Sequence, residues 1–146
     1  MTKDVLISIS GLQFAGGENS EPVEVITSGS YYKKNGRHYI LYEVAEDTAG
    51  TTKNIIKLGD EVLDITKRGE TNVHMMFEKD KKNVTYYYTP YGNLLIGIDA
   101  TKVQVEETEH NLSVKVDYAL EVNYEHMADC KITMNIQSKN AGDFKI

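Results

Sequence analysis

The sequence predicts a single all-β domain, a closed antiparallel up-and-down barrel of about 8–11 strands. Three observations predict it. Short apolar runs recur along the chain and are broken by turn residues roughly every 8–12 positions, the rhythm of a sandwich or barrel. The connections between runs are short, so neighbours must pair antiparallel, because a parallel crossover needs about a dozen residues. Finally, ten or eleven consecutive strands must split into two sheets or close, and closure leaves no exposed edge. The 146 residues suit one domain spanning residues 1–146, large enough to bury roughly 70% of the surface its unfolded chain exposes.

The elements follow in order. Residues 3–14 begin with the apolar run Val5, Leu6, Ile7 and Ile9, and the stretch Ala15-Gly16-Gly17-Glu18-Asn19 breaks them. Pro22 opens residues 22–33, a position where proline is tolerated. Asn35-Gly36 is the strongest hairpin signal, because both residues accept the positive φ of a type I′ turn. Residues 37–46 end at Asp47-Thr48-Ala49-Gly50. Residues 51–58 and 61–67 pair around Gly59-Asp60, and Arg68-Gly69-Glu70 makes a corner. Residues 72–79 and 83–90 flank the charged tip Lys79-Asp80-Lys81-Lys82. Pro90-Tyr91-Gly92-Asn93 turns into 94–99, and Asp99-Ala100 bends the chain into 101–109. Residues 112–122 alternate without fault, with Leu112, Val114, Val116, Tyr118, Leu120 and Val122 on one face, the pattern of a strand with one buried side. A short helix is weakly indicated over 123–129. Residues 130–138 close the chain with Ile132, Met134 and Ile136 inward.

Strict alternation turns Val73, Met75 and Phe77 inward, then Val84, Tyr86 and Tyr88, then Leu94, Ile96 and Ile98. Such an interior is rich in Tyr and Met, and the chain holds ten tyrosines, three phenylalanines and no tryptophan. Tyrosine buries a large apolar body and asks for a partner for its hydroxyl. The interior is therefore either a filled core or a lining for one small ligand. Arg68 and Tyr91 are the candidate rim contacts together with Tyr88, and Met75 and Tyr86 the candidate lining. An arginine pointing into the mouth would need a carboxylate or a ligand anion. The alternative for Arg68 is a corner ion pair with Glu70 or Glu78. For Tyr91 the alternative is turn chemistry: proline at the second turn position followed by Tyr91-Gly92 fits a type II or bulged turn, with glycine taking positive φ.

Composition narrows the function. The formal net charge of −6 argues against broad nucleic-acid or anionic-membrane binding, where phosphates attract lysine and arginine. Basic residues cluster at Lys33, Lys34 and Arg37 and at Lys79, Lys81 and Lys82, each beside a turn, as solvated hairpin tips. Tyr86-Tyr87-Tyr88 is not a stacking platform, since alternation sends Tyr87 to the other face. The single cysteine, Cys130, excludes an internal disulfide and a paired-cysteine metal or redox site. The N-terminal residues do not read as a signal peptide, and no apolar stretch approaches the ~20 residues of a membrane span. Cytoplasmic residence is expected.

No catalytic or metal signature is found. His38, His74, His110 and His126 lie in different elements at no ligand spacing. Glu106 and Glu107 face opposite ways as strand neighbours, so they cannot share a site. Ser28 and Ser30 share a face but lack a nucleophile elbow. Phosphate-binding glycine loops are absent. No cofactor is expected.

Some fragments resemble a known family. They are Thr27-Ser28-Gly29-Ser30-Tyr31-Tyr32, Tyr39-Ile40 with Tyr42-Glu43, Lys67-Arg68-Gly69-Glu70, Met76-Phe77, and Tyr88-Thr89-Pro90-Tyr91-Gly92-Asn93-Leu94. In this order, over nearly the whole chain, they are similar to the YwiB-like family of small bacterial proteins. The resemblance implies a calycin or lipocalin-like β-barrel of unknown function and carries over no functional residue. One departure is Glu46-Asp47-Thr48-Ala49-Gly50-Thr51-Thr52, which looks shorter than the family's connection there and would reshape one rim.

The functional expectation is a non-enzymatic module binding a small amphipathic molecule in the barrel interior or mouth. The alternative is a protein–protein or homo-oligomeric domain, using an open seam or the outward Leu95 and Tyr87. An enzyme would have to assemble Arg68, His74 and a glutamate without any local motif.

Overall fold

The structure, a computed structural model, describes residues 3–12, 23–46, 50–69, 72–89 and 92–139. Ten strands run β1 (Asp4–Leu12), β2 (Val23–Lys34), β3 (Arg37–Glu46), β4 (Gly50–Gly59), β5 (Val62–Arg68), β6 (Val73–Glu78), β7 (Lys81–Thr89), β8 (Gly92–Glu107), β9 (Asn111–Val122) and β10 (Glu125–Ser138). Their spatial order is β6-β5-β4-β3-β2-β1-β10-β9-β8-β7. Each neighbouring pair is antiparallel. The all-β barrel expected from the sequence is therefore present, with ten strands in a nearly closed sheet.

The strand count resolves at β8. Residues 94–99 and 101–109 belong to one long strand, and the bend at Ala100 is a register shift between Ala100 and Lys102 rather than a break. A bulge lets a strand change direction while keeping its partner. At the β2–β3 turn, Asn35 and Gly36 have φ of 54° and 77°, as a type I′ turn requires. The helix indicated over 123–129 is not formed. Asn123 and Tyr124 take positive φ as a two-residue turn, and β10 starts at Glu125. The turn signals at 15–19 and 47–49, and Glu70, Pro90 and Tyr91, lie outside the described residues.

The two ends of the sheet, β6 and β7, meet at a seam. They follow one another through Lys79-Asp80, yet no ladder joins them among the described residues. The turn is instead shared: the Lys79 amide donates to the Glu61 carbonyl and the Asp80 amide to the Ala100 carbonyl. Each strand is thus held by its far neighbour, β5 or β8. Side chains close the seam.

Alternation fills the interior. Val5, Ile7 and Ile9, Ile40, Ile56 and Leu58, Leu63 and Ile65, Met75 and Phe77, Ile96 and Ile98, and the inward residues of β9 and β10 are all buried in one core. The expected inward set of β7 is corrected. Val84 and Tyr86 are 53% and 57% exposed. The cause is register: Asn83 and Thr85 stand opposite Ile98 and Ile96, whereas Val84 and Tyr86 stand opposite Gly97 and Leu95. Cross-strand partners share a face, so Ile96 and Ile98 can point inward only if Asn83 and Thr85 do too. Val84 and Tyr86 therefore lie outside.

Candidate functional site

The barrel wall opens where β2 parts from β3. Their ladder climbs from the Asn35-Gly36 turn to the Ser30–Leu41 pair and stops. Beyond it β2 follows β1, and β3 follows β4. Gly29 stands at the fork. A Cβ there would lie 2.4 Å from Ile7 Cδ1 and 2.6 Å from the Leu41 carbonyl oxygen. Only glycine lets β2 pass this close to both neighbours.

The fork holds an open groove of about 700 Å³. Lys3, Ser28, Ser30, Tyr32, Leu41 and Lys53 are among its walls, and Tyr42 and Asn54 reach it from the inner side. Both of the latter are buried. Burial pushes the Tyr42 phenol up to about 12, so at neutral pH it is a hydroxyl able to donate and accept. The Asn54 amide is held by a long bond from Nδ2 to the Thr52 carbonyl, 3.5 Å. Tyr32 stacks on Tyr39 with ring centroids 5.0 Å apart and planes 8° apart, which fixes one aromatic face at the groove's edge. Among the described residues, the ammonium groups of Lys3 and Lys53 enter no ion pair. Lys33, Lys79, Lys81 and Lys82 each have a carboxylate.

A second cavity of about 410 Å³ shares Lys3 and Tyr32 with the groove and adds Tyr31, Lys33 and Glu107. Here the β2–β3 hairpin meets the end of β8. His38 is buried, and its Nδ1 lies 2.7 Å from the Tyr31 hydroxyl. Its Nε2 lies 3.7 Å from Glu107 Oε1, and Lys33 Nζ lies 3.2 Å from the same oxygen. Burial lowers the His38 pKa, against an opposing pull from Glu107 and with help from Lys33. Burial also raises Tyr31, as does Glu107. Both shifts favour one arrangement, a neutral imidazole with Nε2–H toward Glu107 and a Tyr31 hydroxyl donating to Nδ1. The cluster joins the hairpin tip to β8 and offers no activated nucleophile.

The residues singled out in the sequence fall apart. Met75 is fully buried in the core, in contact with no groove. Tyr86 lies on the outer wall beside the seam, lining a shallow cavity of about 370 Å³ with His74 and Val84. Arg68 ends β5 opposite Lys53 and is exposed. It points outward because Leu63 and Ile65 take the inner side of β5. The expected partner Glu78 stands at the other end of the β5–β6 ladder, opposite Val62, and pairs with Lys81. Tyr88 is the penultimate residue of β7, opposite Asn93, and Tyr91 lies outside the described residues. His74 is exposed and bonded to Asp64 at 2.8 Å, so no acid–base set with Arg68 and a glutamate forms. Among the described residues, no group of three or more His, Cys, Asp or Glu side chains could hold a metal.

The residues that do gather carry no sequence motif. Ser28 and Ser30 lack a catalytic elbow, and Glu107 faces away from Glu106 on its strand. Their shared face and their strand ends were legible. What was not legible was the fork at Gly29, which is a property of the ladder.

The fold and its wall groove define a small all-β barrel protein. Comparison with known proteins agrees. A profile for a domain of unknown function, DUF1934, matches residues 7–134, and the chain belongs to that family. The chain is 24% identical over 117 residues to the uncharacterized beta-barrel protein YwiB of Bacillus subtilis (strain 168), covering 79% of this chain and 82% of that protein. It is also similar in fold to the crystal structure of the ywiB protein from Bacillus subtilis, with a TM-score of 0.72 at 19% identity, covering 94% of this chain and 93% of that one. No described helix is long and apolar enough to cross a membrane.

Proposed function

We propose that this barrel is a non-enzymatic binding module that takes a small amphipathic molecule in the groove at the β2–β3 fork. The single supporting observation is the groove itself, whose volume falls in the range of small-molecule sites, about 300–1,000 Å³. Its walls mix apolar Tyr32, Leu41 and Ile55 with polar Ser28, Ser30, Tyr42 and Asn54. The interior is a less suitable site, because its inward residues pack against one another in one core. The wall groove, rather than the lumen, is then the place for a ligand. A cytoplasmic home is part of the same proposal and suits a chain whose one cysteine, Cys130, is buried.

The test is titration with the dye 1-anilinonaphthalene-8-sulfonate, followed by its fluorescence. Saturable binding to the native protein, weakened about tenfold or more by Ser30→Trp with an unchanged melting curve, is the expected result. Absence of saturable binding would overturn the reading.

A second reading has one observation behind it. Exposed Val84, Tyr86, Tyr124 and Met127 lie near the seam and the β9–β10 turn. Tyr86 stands opposite Leu95, whose carbonyl accepts from Asn123. Such clustering suits a contact with a second protein or a second copy. Light scattering on a sizing column, comparing the native chain with Tyr86→Lys, tests the homo-oligomer. A concentration-independent monomer mass in both would remove it.

A further inference from the structure

The groove at the β2–β3 fork also carries information about charge. We infer that its occupant is an amphipathic anion, a carboxylate or phosphate monoester on an apolar body, with its head between Lys3 and Lys53 and its body on Tyr32, Leu41 and Ile55. The inference rests on the binding-module reading and adds the ligand's sign.

The argument is one of complementarity. The protein carries a formal net charge of −6, so its average surface repels anions. The groove departs from that average. Lys3 and Lys53 both line it, and neither is neutralised by an ion pair among the described residues. Lys139 reaches the same wall, its Nζ donating to the Ser28 hydroxyl. Among the described residues, the one carboxylate in the lining is Glu43, opposite Lys53 in the β3–β4 register and in no ion pair with it. Ser28 and Ser30 add two hydroxyls able to donate to an anionic head. The apolar portion is equally defined. Leu41 and Ile55 stand opposite each other on the outer face, only partly covered. Tyr32, held by its stack on Tyr39, extends the strip. A head with negative charge and a body of short chain or ring thus meets matching surface at each end. Lysine recognises carboxylate and phosphate ester alike, as a compact point charge.

The test compares ligands of matched body and different head by isothermal titration calorimetry on the full chain. The probes are octanoate, 1-octanol, octyl phosphate and octyltrimethylammonium, each below its micelle concentration. We expect octanoate or octyl phosphate to bind about tenfold or more tightly than 1-octanol, and the cation weakest. The preference should shrink as salt rises, as exposed charge interactions do. The Lys3→Gln/Lys53→Gln double variant should lose the preference and keep the affinity for 1-octanol. Lys131→Gln, exposed on β10, should change neither. Equal binding of octanoate and octanol would overturn the anion inference and leave the binding-module reading standing. Binding of none of the four would overturn both. The ratio of octyl phosphate to octanoate affinity separates the two head groups.

Discussion

Phe77 of β6 sets its ring edge-on to Tyr118 of β9, with centroids 4.9 Å apart and planes 73° apart. The two strands are not sheet neighbours, so the contact crosses the interior beside the seam. It joins β6, the last strand of one sheet end, to β9 near the other end, where no backbone ladder does so. An edge-to-face pair of this kind is worth about 0.5–1.5 kcal/mol beyond its burial. Phe77→Ala should therefore cost about 3–5 kcal/mol, measured by urea unfolding. A loss under about 1 kcal/mol would mean that the interior at this level is not filled.

Gly29 gives a second prediction. A methyl group there meets the Leu41 carbonyl and Ile7 Cδ1 well inside contact distance. The carbonyl is backbone and cannot move aside by a rotamer change. Gly29→Ala should destabilise by about 1–3 kcal/mol and disturb amide signals of Leu41 and Tyr42 before those of β9. Unchanged stability and spectra would show that β2 does not press on β3 at the fork.

His38 predicts acid sensitivity. Burial holds its folded pKa below the ordinary 6.5, so between the two values the unfolded chain binds more protons. Stability then rises with pH across that window. The contribution is fully present above pH 6.5, and a penalty grows as pH falls toward the folded value. Protonation would also end acceptance of the Tyr31 hydroxyl at Nδ1. His38→Gln should flatten the slope of stability as pH falls below 6.5, read from urea midpoints. An identical slope in the variant would contradict the assignment.

Asn83 carries the seam's unmet demand. Its Nδ2 is buried without a hydrogen-bond partner among the described residues, a loss of about 1–3 kcal/mol relative to a satisfied amide. The residue shares the inner face with Ile98, its cross-strand partner. Asn83→Leu should raise the urea midpoint by the equivalent of about 1 kcal/mol. A lowered midpoint would mean that the amide has a role in closing β6 against β7.

These particulars show what could be read in advance. The faces of β6, β9 and β10 follow from alternation alone, because each has one continuous apolar set. β7 has two candidate sets, Val84 and Tyr86 or Asn83 and Thr85. Composition favours the first, and register against Ile96 and Ile98 imposes the second. The break between 94–99 and 101–109 was a bulge, which keeps a strand continuous while changing its sequence parity. The cluster of Tyr31, His38 and Glu107 joins residues up to 76 positions apart, and only barrel curvature brings them together. The groove is less legible still, since it exists because a ladder ends at Ser30 and Leu41. Gly29 was the only mark of it in the sequence.

The central claim is a filled interior with the binding groove in the wall. The most direct test is amide and methyl chemical-shift mapping of the labelled full chain during titration with octanoate. We expect saturating shifts at Ser28, Ser30, Leu41, Tyr42, Lys53 and Ile55, with the signals of Met75, Phe77 and Leu120 nearly still. Large shifts at Met75, Phe77 and Leu120 with a quiet fork would place the ligand in the lumen and contradict it.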